Sequence, residues 1–132
     1  MTDRDLSAML TALSPILERD KYIFVTIPGA KYGDLAGLEP IACIREREGL
    51  TLVLNAATAA AAGFSTAQTM KCITLGVHSS LVSVGLTAAV AAALAEHGIP
   101  ANVWAGFHHD HIFVPAPQAE AALEALKALS RS

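Results

Sequence analysis

The sequence predicts an α+β fold built from two small halves, and three observations lead there. Strand-like runs come in pairs, Ile41–Glu46 with Leu50–Leu54 and Ala101–Gly106 with Asp110–Val114. Helical segments flank each pair, which is the pattern of a sheet covered on one side rather than a βαβ series. The chain has 132 residues, enough for one compact unit or two halves sharing a core; halves of roughly 60 residues bury a smaller fraction of their surface than one unit of the full length and are expected to fuse or dimerise. Charged residues make up 16% of the chain and hydrophobic ones 53%. The charged share is below the roughly 25% usual for soluble domains, so the polar surface is thin and a homo-oligomer is expected.

The elements follow in order. Leu6, Met9, Leu10, Leu13, Ile16 and Leu17 fall at helical spacing behind Asp3 or Asp5, with Pro15 expected to break or kink the helix after Ser14. Tyr22–Ile27 is rich in β-branched and aromatic residues and stops at Pro28-Gly29, a strand ending in a turn. The Gly-rich stretch Pro28–Pro40 reads as a long exposed loop, a class of segment that is often functional. Ile41–Glu46 and Leu50–Leu54 flank Arg47-Glu48-Gly49 as a hairpin. Asn55–Ala62 is then a short helix, capped by Asn55 and ended by Gly63. Phe64–Thr69 is a polar connector, which places the halves at 1–66 and 67–132. The second half reads as strand Lys71–Val77, helix Leu81–His97 ended by Gly98, strands Ala101–Gly106 and Asp110–Val114, and helix Gln118–Leu129 with Pro117 near its first position. The helix Leu81–His97 is apolar on two faces, Leu86/Val90/Leu94 and Leu81/Val84/Ala88/Ala91/Ala95, so cover on both is expected.

Two places carry candidate chemistry. His78, Ser79 and Ser80 sit where a strand hands over to a helix, followed by Val84 and Gly85. Unpaired N–H groups at a helix start attract carboxylates, and glycine lets a ligand approach the backbone. Capping of the helix by Ser79 or Ser80 is the commoner role for serine at such a place, with ligand binding as the other. The second place is His108-His109-Asp110-His111. On an extended strand His108 and Asp110 share one face and His109 and His111 the other, which divides the histidines and argues against a metal site; a tight turn would remove that alternation. Asp110 is suited to receive a cationic amino group.

Other classes are disfavoured. The net charge is −3 and basic residues do not cluster beyond Arg45–Arg47, so nucleic acid is not an expected partner. No apolar run reaches the roughly 18 residues of a membrane span, and the acidic start Met1–Asp5 lacks the apolar core of a secretory signal; a cytoplasmic protein is expected. Cys43 and Cys72 stand alone in strand-like runs and read as small buried hydrophobes. Walker, GxGxxG, HExxH and CxxC motifs are absent, and Gly76-Val77-His78-Ser79 lacks the glycine that a nucleophile elbow has after its serine. Neither a cofactor nor enzymatic activity is expected.

Val77-His78-Ser79-Ser80-Leu81, Val84-Gly85-Leu86-Thr87 and Ala105-Gly106-Phe107 through Val114-Pro115 resemble the corresponding segments of ACT-domain proteins, specifically small bacterial proteins made of two fused ACT-like halves. With Leu10–Leu17, Tyr22–Val25 and Glu46–Leu54 matching more loosely, the resemblance covers nearly the whole chain. It implies a ferredoxin-like βαββαβ sandwich in each half, pairing of halves, and regulation by an amino acid bound at the interface between them, as in the regulatory domains of aspartate kinase. Carried onto matching positions, the ligand would meet His78, Ser79, Ser80, Val84 and Gly85 with Asp110 opposite. With no catalytic domain in the chain, the regulated enzyme would be a separate protein. The alternative is a module that oligomerises or docks a partner without any ligand.

Overall fold

The structure is a computed structural model and describes residues 3–131. Its elements in chain order are α1 (Asp3–Thr11), β1 (Pro15–Pro28), a 3₁₀ turn (Ala36–Leu38), β2 (Ala42–Arg45), β3 (Gly49–Asn55), α2 (Ala56–Ala61), β4 (Met70–Leu75), α3 (Leu86–Glu96), β5 (Asn102–Ala105), β6 (Asp110–Pro115), a 3₁₀ turn (Ala116–Gln118) and α4 (Ala119–Arg131). They form two compact units. One combines residues 1–19 with 71–132, and the other is residues 20–70. The chain passes between them inside β1 and again at the start of β4.

In the first unit the strand order is β1-β4-β6-β5. This is the order of a βαββαβ sandwich whose last strand comes from the front of the chain, residues 15–19, rather than from beyond α4. The pairing continues past the strand end, where Gly76 and Val77 donate backbone hydrogen bonds to the carbonyls of Ser14 (2.9 Å) and Leu13 (3.2 Å). Ile73 and Leu75 on β4, with Ile112 and Val114 on β6, present alternate residues to one face. Leu86, Val90 and Leu94 of α3 and Ala119, Ala122, Ala125 and Leu126 of α4 close over that face, with Leu6, Met9 and Leu10 of α1 half-buried beside them.

The expected break at Pro15 is present, but the residues after it form strand rather than a second piece of helix. The stripe Leu6/Met9/Leu10 is helical, but Ile16 and Leu17 lie in β1. Pro15 cannot donate the helix hydrogen bond, and the chain reverses at Ser14, which adopts a left-handed φ of 49°. From there period-2 alternation takes over. The charged run Glu18-Arg19-Asp20-Lys21 lies within the strand, so β1 is far longer than its apolar part, Tyr22–Ile27, indicates.

In the second unit the order is β2-β3-β1. Antiparallel register sets Ile23 opposite Leu54, Val25 opposite Leu52 and Ile27 opposite Leu50, so three apolar cross-strand pairs build its core. The β2–β3 hairpin closes through mutual backbone hydrogen bonds of Glu46 and Gly49 at 2.8 and 3.2 Å. Gly49 is obligatory, since a Cβ there would lie 2.8 Å from Pro28 Cα and overlap the Ile27 carbonyl. Asn55 caps α2, its Oδ1 accepting from the Ala57 amide at 2.9 Å, and Gly63 follows the helix with φ 88°. Between β1 and β2 a βαββαβ half would carry a full helix; here the 3₁₀ turn at Ala36–Leu38 is the only helical piece.

Candidate functional site

The segment between β4 and α3 is longer than the sequence reading allows. α3 begins at Leu86, not Leu81, and its N-cap is Gly85 with φ 101° and no side-chain cap. Residues 78–85 form a folded loop tied by its own serines. The Ser80 amide donates to Ser83 Oγ at 3.1 Å and the Val82 amide to Ser80 Oγ at 3.1 Å. The Ser83 amide donates to the Ser80 carbonyl at 3.0 Å. Thus neither Ser79 nor Ser80 caps α3. Hydroxyls compete for backbone groups locally and favour turns over helix, which is why the apolar stripe from Leu81 does not extend the helix. Leu81 and Val84, expected on a buried face, are 64% and 68% exposed.

The β5–β6 hairpin tip is the other wall. Gly106 N–H donates to the His109 carbonyl at 2.9 Å, so Phe107 and His108 form a tight turn, and Ser79 N–H donates to the His108 carbonyl at 3.3 Å. A Cβ at Gly106 would sit 2.8 Å from the His109 oxygen, so this turn requires glycine. The strand alternation expected through His108 and His109 starts only at Asp110. Asp110, Ile112 and Val114 then face the helices, whereas His111 points to the opposite face, its Nδ1 3.1 Å from Thr74 Oγ1.

The two walls enclose a small hollow of about 70 Å³ lined by Ser79, Ser80, Ser83, Thr87, Gly106 and Asp110, with Leu81, Leu86 and Ala105 completing it. Asp110 is 8% exposed and is the buried charged residue among those described. Ser79 Oγ donates to its Oδ2 at 3.4 Å, a long bond that leaves most of the carboxylate's acceptor capacity open. Hydroxyls, one carboxylate and the uncapped start of α3 therefore converge. Of the residues singled out from sequence, Ser79, Ser80 and Asp110 line the hollow. Val84 is exposed. Gly85 is covered by α1, because a Cβ there would meet Leu6 Cδ2 at 3.0 Å. Ser83 and Thr87 also line the hollow; their spacing after Ser79, continuing a hydroxyl series, was the available signal.

His78 stands apart from the hollow, in a group of imidazoles. Its ring centroid is 5.0 Å from those of both His108 and His109, and His109 Nδ1 lies 3.2 Å from the Val77 carbonyl. Among the described residues no group of three or more His, Cys, Asp or Glu side chains is placed to hold a metal ion. Burial pushes the Cys72 thiol from an ordinary 9.0 up to about 11, the Thr74 hydroxyl opposing and the Glu18 carboxylate adding. No described helix is long and apolar enough to cross a membrane.

Comparison with known proteins bears on the family and the fold. Residues 2–71 and residues 68–128 each match an ACT-domain family model. The chain belongs to the ACT-domain family, with two ACT modules in tandem. A Vibrio cholerae protein of unknown function has a similar structure, with 50% identity, a TM-score of 0.86, and coverage of 96% of this chain and 97% of that one. The regulatory subunit of aspartate kinase from Thermus flavus is similar at 16% identity and TM-score 0.63, over 89% of this chain and 98% of that one. Aspartokinase III of E. coli is similar at 12% identity and TM-score 0.63, over 89% of this chain and 33% of that one. The last two likenesses concern fold alone. No curated protein matches the chain. ACT domains are typically regulatory and bind amino acids.

Proposed function

We propose that this protein is a regulatory module that binds a free amino acid at the Ser79–Asp110 hollow and passes the binding event to a partner. The observation that carries the reading is the buried Asp110 carboxylate, facing hydroxyls beside an uncapped helix start. An ammonium group would pair with Asp110, and the α-carboxylate would meet the free amides of the first turn of α3. A space of about 70 Å³ equals the share of roughly two waters. It takes the charged head of the ligand and leaves the side chain outside. Regulation requires the ligand to prefer one conformational or assembly state by a few kcal/mol. The role is binding rather than catalysis, and the free thiols Cys43 and Cys72 suit a reducing cytoplasm.

A panel of amino acids at millimolar concentration, read by thermal unfolding, tests this. A ligand at ten times its dissociation constant adds about 1.4 kcal/mol, which raises the midpoint by a few degrees. Asp110→Asn should fold and lose the response. A flat panel with cooperative unfolding would contradict the proposal, as would an unchanged response in the variant.

A specific observation favours a second reading, docking of a partner chain. Leu81, Val82 and Val84 in the loop and Phe107 at the hairpin tip are all more than half exposed. Leu81 lines the hollow, Val82 and Val84 belong to the same loop and Phe107 to the tip of the hairpin that forms the other wall, and exposed apolar residues gathered in a patch mark contact surfaces. A second copy closing over these residues would complete the cover of the ligand side chain. Sedimentation of Phe107→Ser against the parent measures it: the account expects weaker self-association, and identical sedimentation would remove these residues from the contact.

A further inference from the structure

The second unit carries a cavity of about 450 Å³ beneath the segment between β1 and β2. Core leucines Leu50 and Leu52 form part of its lining, with Leu35 and Ala36 from the loop side. Its volume falls in the roughly 300–1,000 Å³ range of small-molecule pockets, and its lining follows their pattern of apolar walls with few polar groups. Glu39 is the one carboxylate in its lining, which holds no Lys, Arg or His, and the Tyr32 phenol and the Cys43 thiol are the other polar side chains.

We infer that this cavity binds a small apolar amine, with the hydrocarbon body against Leu50 and Leu52 and the ammonium group paired with Glu39. Charge complementarity selects the class. A zwitterionic amino acid would bring a carboxylate for which the lining offers no cation, whereas an amine without a carboxylate leaves no charge unmatched. Glu39 holds a left-handed backbone at φ 49°, its N–H bonded to the Ala36 carbonyl at 3.0 Å. Its side chain lines the cavity and is solvent-exposed. The site goes beyond the amino-acid reading, and its lining shares no residue with the Ser79–Asp110 hollow.

Cys43 makes the inference testable in the intact protein. It lines the cavity and is partly exposed, so an occupant shields it from alkylation. Cys72 is buried and holds its proton far above neutral pH, so it stays silent in the same experiment. Iodoacetamide labelling of Cys43, followed by peptide mass spectrometry, would be measured with phenethylamine and with 3-phenylpropionate. The amine at ten times its dissociation constant should slow labelling about elevenfold by mass action, and the carboxylate should not. Glu39→Gln should abolish the protection. Unslowed labelling up to the solubility limit of the amine would overturn the inference. Equal protection by the carboxylate, or protection retained in Glu39→Gln, would overturn it as well.

Discussion

Gly85 shows how one residue joins core and site. It caps α3 in a conformation with φ 101° and has Leu6 of α1 against its α-carbon. Gly85→Ala places a Cβ 3.0 Å from Leu6 Cδ2 and forces a strained backbone, which should cost about 1–2 kcal/mol in chemical denaturation. An unchanged midpoint would show that α1 does not rest there. Cys72 gives a pH prediction at the same scale. Its thiol is held protonated in the folded state, up to about 11 from 9.0. Above the unfolded value the unfolded chain binds fewer protons than the folded one, so stability falls as pH rises. Its contribution is complete below pH 9 and lost as pH passes through about 11. Urea titrations of Cys72→Ser and its parent from pH 8 to 11 should show the parent losing more stability than the variant across that window.

Among the elements, α2 is the plainest case of local sequence setting local structure. It has six residues, and its start depends on the Asn55 side chain. Asn55→Ala should lower stability by about 1 kcal/mol, measured as a shift in the urea midpoint without a change in slope. The β2–β3 hairpin, α2, β4 and α4 were legible because each combines a periodic apolar pattern with a turn or cap residue at its end. α1 and α3 were misread at one boundary each, for one reason. Apolar spacing continued across Ser14-Pro15 and across Ser79–Gly85, while the backbone there followed a proline and a set of hydroxyls. Three of the nine residues lining the hollow, Ser79, Ser80 and Asp110, could be singled out from sequence, through their charge and hydroxyl chemistry. Ser83, Thr87 and Gly106 join it only through the loop and hairpin geometry, which periodicity does not encode.

At the scale of the whole molecule, two ACT modules share a chain but not a design. One unit takes residues 15–19 into its sheet and carries α1, α3 and α4. The other has a 3₁₀ turn between β1 and β2 and a cavity beneath that segment. Under the two proposals the first would take a zwitterion's charged head and the second an apolar amine, and the tandem would not be a duplicated sensor. The most direct test of the central claim is a ¹H–¹⁵N correlation spectrum of the full chain, titrated with each amino acid that raises the unfolding midpoint. The account predicts shifts concentrated in the amides of residues 79–87 and 105–110. Shifts confined to residues 29–52, or none at saturating ligand, would contradict it.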